Sequence, residues 1–293
     1  MGEATGSTVP RRLLGRHLRE LRLRAQFTLK RAATAMEWSE AKMSRIEAGL
    51  TSVRTHDVRL LCTEYGAPEE LREALVGLAS ETKAKGWWHA YGDAVPRDFD
   101  VFIGLEAAAS AVDWYEPDLV PGLFQTPRYA RVMMSEWYDK LAPEEIERRT
   151  SVRMRRQALL TRTRQPLSLR VVLSEAVLLR PVGGPDVMFE QAERIVELSA
   201  LPNVELRVIP FERGFHQGMF TGQFGILKFP AISGIGEPTT VYADGYVGDL
   251  YLDKPDESAH YAGAFADMWS KALDEQATQK LLRRAVGSYE RHG

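Results

Sequence analysis

One cysteine in 293 residues, Cys62, leaves no partner for an internal disulfide and fits a reducing compartment. On the apolar face of a helical pattern it reads as a small core residue, with a redox role as the sharper alternative. Long apolar runs are missing too. No stretch reaches the roughly 18 residues needed to cross a bilayer, and the opening MGEATGSTVPRR lacks the apolar core of a secretion signal. A cytoplasmic, nucleoid-associated protein without membrane contact is therefore expected. The six histidines (His17, His56, His89, His216, His260 and His292) are scattered without metal-ligand spacing. There is no H-E-x-x-H, C-x-x-C, Walker A loop or G-x-S-x-G elbow. Gly183-Gly184-Pro185 precedes a helical pattern, but it lacks the lysine and further glycines of a phosphate loop. No catalytic residue, metal or cofactor is expected, so the chain reads as something other than an enzyme.

What is present is enough apolar material, 44%, for folded protein throughout, and a length that suits two domains. Charge is divided unevenly. Met1 to Gly66 holds 12 Lys and Arg against 7 Asp and Glu, a net of +5, while the remaining 227 residues hold 26 against 33, a net of −7. A basic head on an acidic body can meet a phosphate backbone and stay soluble. An arginine-rich face is also common in proteins that never touch nucleic acid.

Leu14, Leu18, Leu21 and Ala25 recur at helical steps. Thr28 caps a second helix through Met36 with Leu29, Ala32 and Ala33 inward, and Ser39 caps a third with Met43 and Ile46 inward and Gly49 as its stop. A fourth helix carries Val58, Leu61 and Cys62, and Pro68 opens a fifth with Leu71, Leu75 and Leu78. Two short helices joined by a tight turn place the second where it can enter a major groove. Its first turn exposes Glu40, Ala41 and Lys42, with Arg45 a turn further on. Arg45 reads as a base or phosphate contact or as a structural arginine, Lys42 as a contact or a solvated charge. Glu40 could accept from a cytosine amino group, yet it also repels phosphate.

TLKRAATAMEWSEAKMSRIEAG resembles the helix-turn-helix of the phage-repressor (xenobiotic-response-element) family, with Ser39, Ser44, Arg45, Ile46, Glu47 and Gly49 matching its third-helix pattern S-x-x-x-I-S-R-I-E-x-G. The resemblance implies base contacts from Glu40, Ala41, Lys42 and Arg45. It implies backbone contacts from Thr28, Lys30, Ser39, Thr51, Ser52 and Arg54, and a structural ion pair of Arg22 with Glu47. Two residues depart from the pattern. Glu37 replaces a turn glycine that tends to need a left-handed backbone, and Trp38 replaces a small aliphatic residue.

Beyond the fifth helix, residues 83–98 (KAKGWWHAYGDAVPRD) break the periodicity and read as a linker whose Trp87, Trp88 and Tyr91 need something to pack on. The division is a helix-turn-helix domain at 1–82, linker 83–98 and an α+β sensory or partner-binding domain at 99–293. The fold class is thus an all-α N-terminal domain of five helices followed by an α+β domain. In the latter, helical patterns cover 99–108, 127–137, 143–160, 185–200 and 256–287; strand-like runs cover 109–115, 167–173, 204–209, 224–229, 239–243 and 247–252.

WYEPDLVPGLFQTPRYARVM, followed by RRQALL, SEAVLLRPVGGPDVM, LPNVELRVIPFERG, QFGILKF and VYAD…GDLYLD, resembles in order the uncharacterised C-terminal domain of actinobacterial WhiJ-type regulators. That resemblance covers nearly the whole chain. It implies a repressor whose C-terminal domain binds a small acidic partner protein or a small-molecule effector. Trp114, Tyr115, Gln125, Tyr129, Phe215 and His216 mix aromatic and polar groups and are the candidate ligand or partner pocket, against the plainer reading of core and turn chemistry. Arg148, Arg149, Arg153, Arg155, Arg156, Arg162 and Arg164 invite a second DNA face, but Glu144–Arg148 and Glu145–Arg149 are four-residue helix pairs that suit a solvated or partner surface.

Three readings follow. The first is a homodimeric, sequence-specific regulator on double-stranded DNA, with a signal-receiving domain; a dimer is expected because one short helix reads few bases. The second is an antitoxin-like protein that sequesters a small partner and autoregulates its operon. The third is an enzyme carrying a DNA-binding head.

Overall fold

The computed structural model describes residues 8–83, 86–95, 97–137, 141–231, 236–245 and 248–290. The polar tail through Ser7, parts of the 83–98 segment, Val247 and His292 lie outside the described residues. Two compact units are formed: one from the described residues of Met1–Ala90, Asp100–Ala108 and Phe229–Glu237, the other from those of Tyr91–Phe99, Ala109–Lys228 and Pro238–Gly293.

The first unit opens with α1 (Thr8–Arg24), α2 (Leu29–Ala35), α3 (Glu40–Glu47), α4 (Thr55–Glu64) and α5 (Glu69–Glu81). The apolar faces read from periodicity close on each other: Leu14, Leu18, Ala32, Met43, Ile46, Val58, Leu61 and Leu75 are all at most 2% exposed. Burying one such larger side chain contributes roughly 1.5–3 kcal/mol, so the packed faces, rather than seven or eight residues of helix propensity, hold α2 and α3. Pro68 does not open α5. Its ψ of 148° keeps it extended as the N-cap, and Glu69 and Glu70 occupy the first turn, where the helix dipole favours them.

Trp87–Ala94 winds as a 3-10 turn and α6 runs Arg97–Ala108. Trp88 is 1% exposed, and its indole N–H donates to Asp100, so the tryptophan the sequence leaves in search of a partner is a core residue of the first unit.

The second unit is built on a six-stranded sheet of β1 (Ala111–Glu116), β2 (Ser168–Ser174), β3 (Val204–Ile209), β4 (Phe224–Lys228), β5 (Thr240–Ala243) and β6 (Leu250–Leu252), in the order β3-β2-β1-β4-β5-β6. β1, β2 and β3 are parallel; β4, β5 and β6 add antiparallel. Parallel neighbours need crossovers, supplied by α7 (Pro127–Trp137), α8 (Pro143–Arg156) and α9 (Ala158–Thr161) after β1, and by α10 (Ala176–Leu179) and α11 (Pro185–Ser199) after β2. α12 (Gly218–Thr221) lies between β3 and β4; α13 (Pro255–Lys271) and α14 (Glu275–Glu290) close the chain. The second unit is α+β, as its alternating patterns led one to expect.

Strand alternation divides β1 between two faces. Tyr115 joins Val172, Phe224, Ile226, Val241, Phe265 and Met268 in the core under α13. Val112, Trp114 and Glu116 point the other way.

Two expected helices are each a pair. The pattern over 256–287 breaks at Ala272, whose ψ of 157° is extended, and restarts where the Asp274 carboxylate accepts from the Ala277 amide at 2.8 Å. An apolar Ala-Leu step hid that break inside a helical period. The 143–160 stretch likewise divides at Gln157.

Candidate nucleic-acid interface

α3 is held against α1 by a fork. The Arg22 Nε donates to Glu47 Oε1 at 2.6 Å and Nη2 to Oε2 at 2.9 Å, while Nη1 donates to the Phe27 carbonyl at 2.8 Å. Both side chains are over nine-tenths buried, at 9% and 6% exposure. One guanidinium thereby ties the end of α1, the approach to α2 and the end of α3. Removing either partner would strand the other charge, which costs several kcal/mol in a buried pair.

The helices also meet backbone to backbone. A Cβ on Gly15 would fall 2.4 Å from the Ile46 carbonyl and 2.7 Å from that of Glu47, and one on Gly49 would fall 2.6 Å from the Arg12 Cα. Gly49 also has φ +70°. No larger residue fits at either crossing without moving α3.

The turn into α3 solves its missing glycine directly. Glu37 sits at φ +55°, the left-handed conformation expected there, at a cost of roughly 1 kcal/mol. Its amide donates to the Thr34 carbonyl at 3.1 Å and that of Trp38 to Ala33 at 2.8 Å, closing the turn. Trp38 packs its ring onto the core edge and takes the Lys42 ammonium 3.7 Å from its centroid. The hydroxyls of Thr28 and Ser39 cap α2 and α3, accepting from the amides of Arg31 at 3.1 Å and Lys42 at 3.2 Å.

This leaves one solvent face on α3. Glu40, Ala41 and Arg45 are exposed on it, and Lys42 is half-buried beside Trp38. Thr28, Lys30, Ser39, Ser52 and Arg54 are exposed around it, and Thr51 is half-buried. Four further exposed residues of these helices were not among the expected contacts: Thr34 and Ala35, Ser44, four residues after Glu40, and Arg31, whose guanidinium lies 3.7 Å from the Phe27 ring centroid. The helical step from Glu40 was signal enough for Ser44. Cys62 lies inside this unit at 0% exposure, and burial pushes its thiol up to about 11.

The six pocket candidates do not converge. Gln125 and Tyr129 are buried in a backbone-binding knot: the Gln125 amide donates to the Val120 carbonyl at 2.7 Å, the Val120 amide to the Tyr129 hydroxyl at 3.2 Å, and Arg153 to Gln125 Oε1 at 2.6 Å. Tyr115 meets His216 edge-on at 6.0 Å between centroids; burial pushes the phenol up to about 12 and the imidazole down. Phe215 is 60% exposed.

Trp114 faces away from Tyr115 and donates to Glu116 Oε1 at 3.0 Å. Burial lifts the Glu116 carboxyl to about 8 despite that bond, and among the described residues its Oε2 has no hydrogen-bond partner. The arginine run does not form one face: Arg156 is buried, Arg149, Arg153 and Arg162 are half-buried, and Arg148, Arg155 and Arg164 are exposed. Arg148 and Arg149 both reach Glu145, at 3.2 and 2.9 Å, so the expected Glu144–Arg148 pair gives way to a three-residue step. Arg162 binds the carbonyls of Gln165 and Ala109.

A different group of polar residues does converge. Asp113 accepts from Arg170 Nε at 2.6 Å and Nη2 at 2.7 Å, and from Lys228 Nζ at 2.7 Å. Burial pushes the Asp113 carboxyl up, but the hydrogen bonds from Arg170 and Lys228 outweigh it and hold it below the ordinary carboxylate value. The triad came from three separate strands and left no local motif. Among the described residues no group of acids, histidines and cysteines could hold a metal, and no helix is long and apolar enough to cross a membrane.

Comparison with protein families gives two matches. The model described as "Domain of unknown function (DUF5753)" covers residues 99–284, and one described as "Helix-turn-helix domain" covers residues 13–75. No curated protein and no solved structure matches the chain.

Proposed function

Because this chain belongs to the DUF5753 family and carries a helix-turn-helix domain ahead of it, we propose that it is a sequence-specific transcriptional regulator of phage-repressor type. It works in the cytoplasm as a homodimer, represses from its operator, and releases or tightens on DNA when its C-terminal domain takes up a signal, in the manner of WhiJ-type regulators. No reaction is assigned to it.

The observation that carries this reading is the α3 face. Glu40, Ala41 and Arg45 stand exposed on a helix that the Arg22–Glu47 fork and the Gly15 crossing fix from behind. A helix of this width fits the major groove, where every base pair presents its own pattern of donors and acceptors. Glu47 ends α3 and serves the fork, so the side chains left to read bases are those of the first two turns.

A second reading, sequestration of a small partner in antitoxin fashion, is favoured by one feature: Phe211, Phe215, Met219 and Phe220 are 61%, 60%, 66% and 81% exposed on one connection. Exposed apolar patches of this kind mark contact surfaces.

The test is selection of duplexes from a random pool by the full chain, followed by footprinting. Enrichment of a motif with two half-sites about one helical turn apart is expected. Retention of duplex without any enriched motif, or an unchanged motif with Arg45→Ala, would overturn the assignment.

A further inference from the structure

Between the sheet and α13 the second unit holds a cleft of about 460 Å³ that none of the expected pocket residues lines. Its floor is the Asp113–Arg170–Lys228 triad, and Phe265, Trp269 and Ile226 contribute apolar wall. The volume lies in the range of small-molecule sites, which are mostly apolar with a few convergent polar groups.

The charges on the floor do not cancel. Arg170 and Lys228 share Asp113, which spends both oxygens on three donors, and Glu205, opposite Arg170 in β3, is the second acid acting on that guanidinium; with Arg207 counted, three cations face two carboxylates. Among the described residues, Arg170 Nη1 and the other two protons of Lys228 have no acceptor. Asp113, only 5% exposed, is thus a positioning residue that fixes both cations, while Arg170 and Lys228 keep 37% and 44% of their side chains open. The Arg170 guanidinium lies 5.2 Å from the ring centroids of both Phe265 and Trp269, and Arg207 adds a third cation 4.4 Å from Trp269. Positive charge with unused donors beside aromatic wall is the complement of an anion with an apolar body.

We propose that this cleft binds a small amphiphilic acid, its anionic head (carboxylate or phosphate monoester) on Arg170 and Lys228 and its apolar body against Phe265 and Trp269. This deepens the proposed function and rests on it for its meaning: the acid is the signal that the second unit receives. None of residues 211–220 lines the cleft, although both features share α13, where Asp267 accepts from the Gln217 amide at 3.2 Å.

The test uses the full chain and three probes: 1-naphthoate, the neutral 1-naphthamide and phenyl phosphate, followed by calorimetry and by thermal melting. At least one of the two anions should bind, and at least tenfold more tightly than the amide. Lys228→Met leaves the bidentate Arg170–Asp113 pair intact and should weaken anion binding at least tenfold with no change for the amide, its melting curve showing that it folds. Equal affinity for naphthoate and naphthamide, unchanged anion binding in Lys228→Met, or no binding of either anion at 1 mM would each overturn the site. Binding to a selected duplex is measured on the same samples. An acid that binds the cleft without changing DNA affinity keeps the site and removes its role as signal; loss of selective DNA binding in the ligand-free protein removes the regulator reading alone.

Discussion

The ammonium of Lys42 stands 3.7 Å from the centroid of the Trp38 ring, so the residue that departs most from the helix-turn-helix pattern holds one of its expected base contacts. A cation–π contact of this exposure contributes about 0.5–1 kcal/mol, which Lys42 must give up before it can reach a base. Arg45 is exposed, and among the described residues no aromatic ring holds it in this way. Arg45→Ala should weaken binding to a selected duplex by about 1–3 kcal/mol and relax one base position. Lys42→Ala should cost clearly less. Fluorescence anisotropy at fixed salt measures both, and equal losses would mean that Trp38 does not restrain Lys42.

Arg54, the N-cap residue of α4, is exposed, and a phosphate contact is proposed for it. Arg54→Ala should lower the slope of log affinity against log salt by about one while leaving the preferred sequence unchanged. A salt titration on selected and scrambled duplexes checks this; a shift in preference as large as that of Arg45→Ala would place Arg54 on a base.

The two glycines inside α1 and α5 should respond oppositely to alanine. Helix propensity favours each substitution by about 1 kcal/mol. At Gly77 a Cβ meets nothing within 4 Å, whereas at Gly15 it meets the carbonyls of Ile46 and Glu47. Gly77→Ala should therefore be neutral or stabilising, and Gly15→Ala destabilising by roughly 1–3 kcal/mol, with weaker DNA binding because α3 must shift. Urea denaturation compares the two; matching midpoints would remove the crossing.

Glu116 makes stability depend on pH with a definite sign. Burial raises its carboxyl from 4.5 to about 8 in the folded chain, so the folded state keeps a proton that the unfolded state has lost. The stability this group contributes is complete below pH 4.5 and is lost as pH rises through about 8, at no more than about 1.4 kcal/mol per pH unit. Glu116→Gln keeps an oxygen for the Trp114 N–H and removes the titration. The variant should match the parent near pH 4.5 and exceed it increasingly toward pH 8. Urea midpoints at pH 5, 6.5 and 8 decide it, and a pH-independent difference would show that Glu116 is already ionised.

Cys62, wholly buried with its thiol pushed up to about 11, should resist iodoacetamide at pH 8 and react fully once the chain is unfolded in urea. Mass spectrometry reads the label. Rapid alkylation of the native protein would contradict the burial.

The reading head was legible because its instructions are local. Thr28 and Ser39 cap, Gly49 stops, and the apolar steps of α1 to α4 fold onto one another within about fifty residues. Even the backbone at Glu37 followed from the turn that demands it. The second unit resisted for physical reasons. Its strands could be found by their runs, but neighbours in the sheet are distant in sequence: Asp113 meets Arg170 57 residues on and Lys228 115 residues on. Adjacent Trp114 and Tyr115, which looked like one aromatic site, point to opposite faces because a strand alternates. Asp274 was the one sign that a long helical pattern restarts.

The chain passes between its two units repeatedly: Tyr91–Phe99 belongs with the second, Asp100–Ala108 with the first, and Phe229–Glu237 returns to the first again. That last return delivers Glu237, whose buried carboxylate lies 3.4 Å from Arg12 Nε and 3.6 Å from Arg16 Nη2 on α1. The DNA reader is therefore stitched rather than strung. A fusion that grafts residues 8–82 onto a foreign sensor would carry α1 to α5 but leave behind Glu237, a buried carboxylate that meets two α1 arginines. The portable unit is three strips of chain, and any exchange of heads between such regulators has to move all three together.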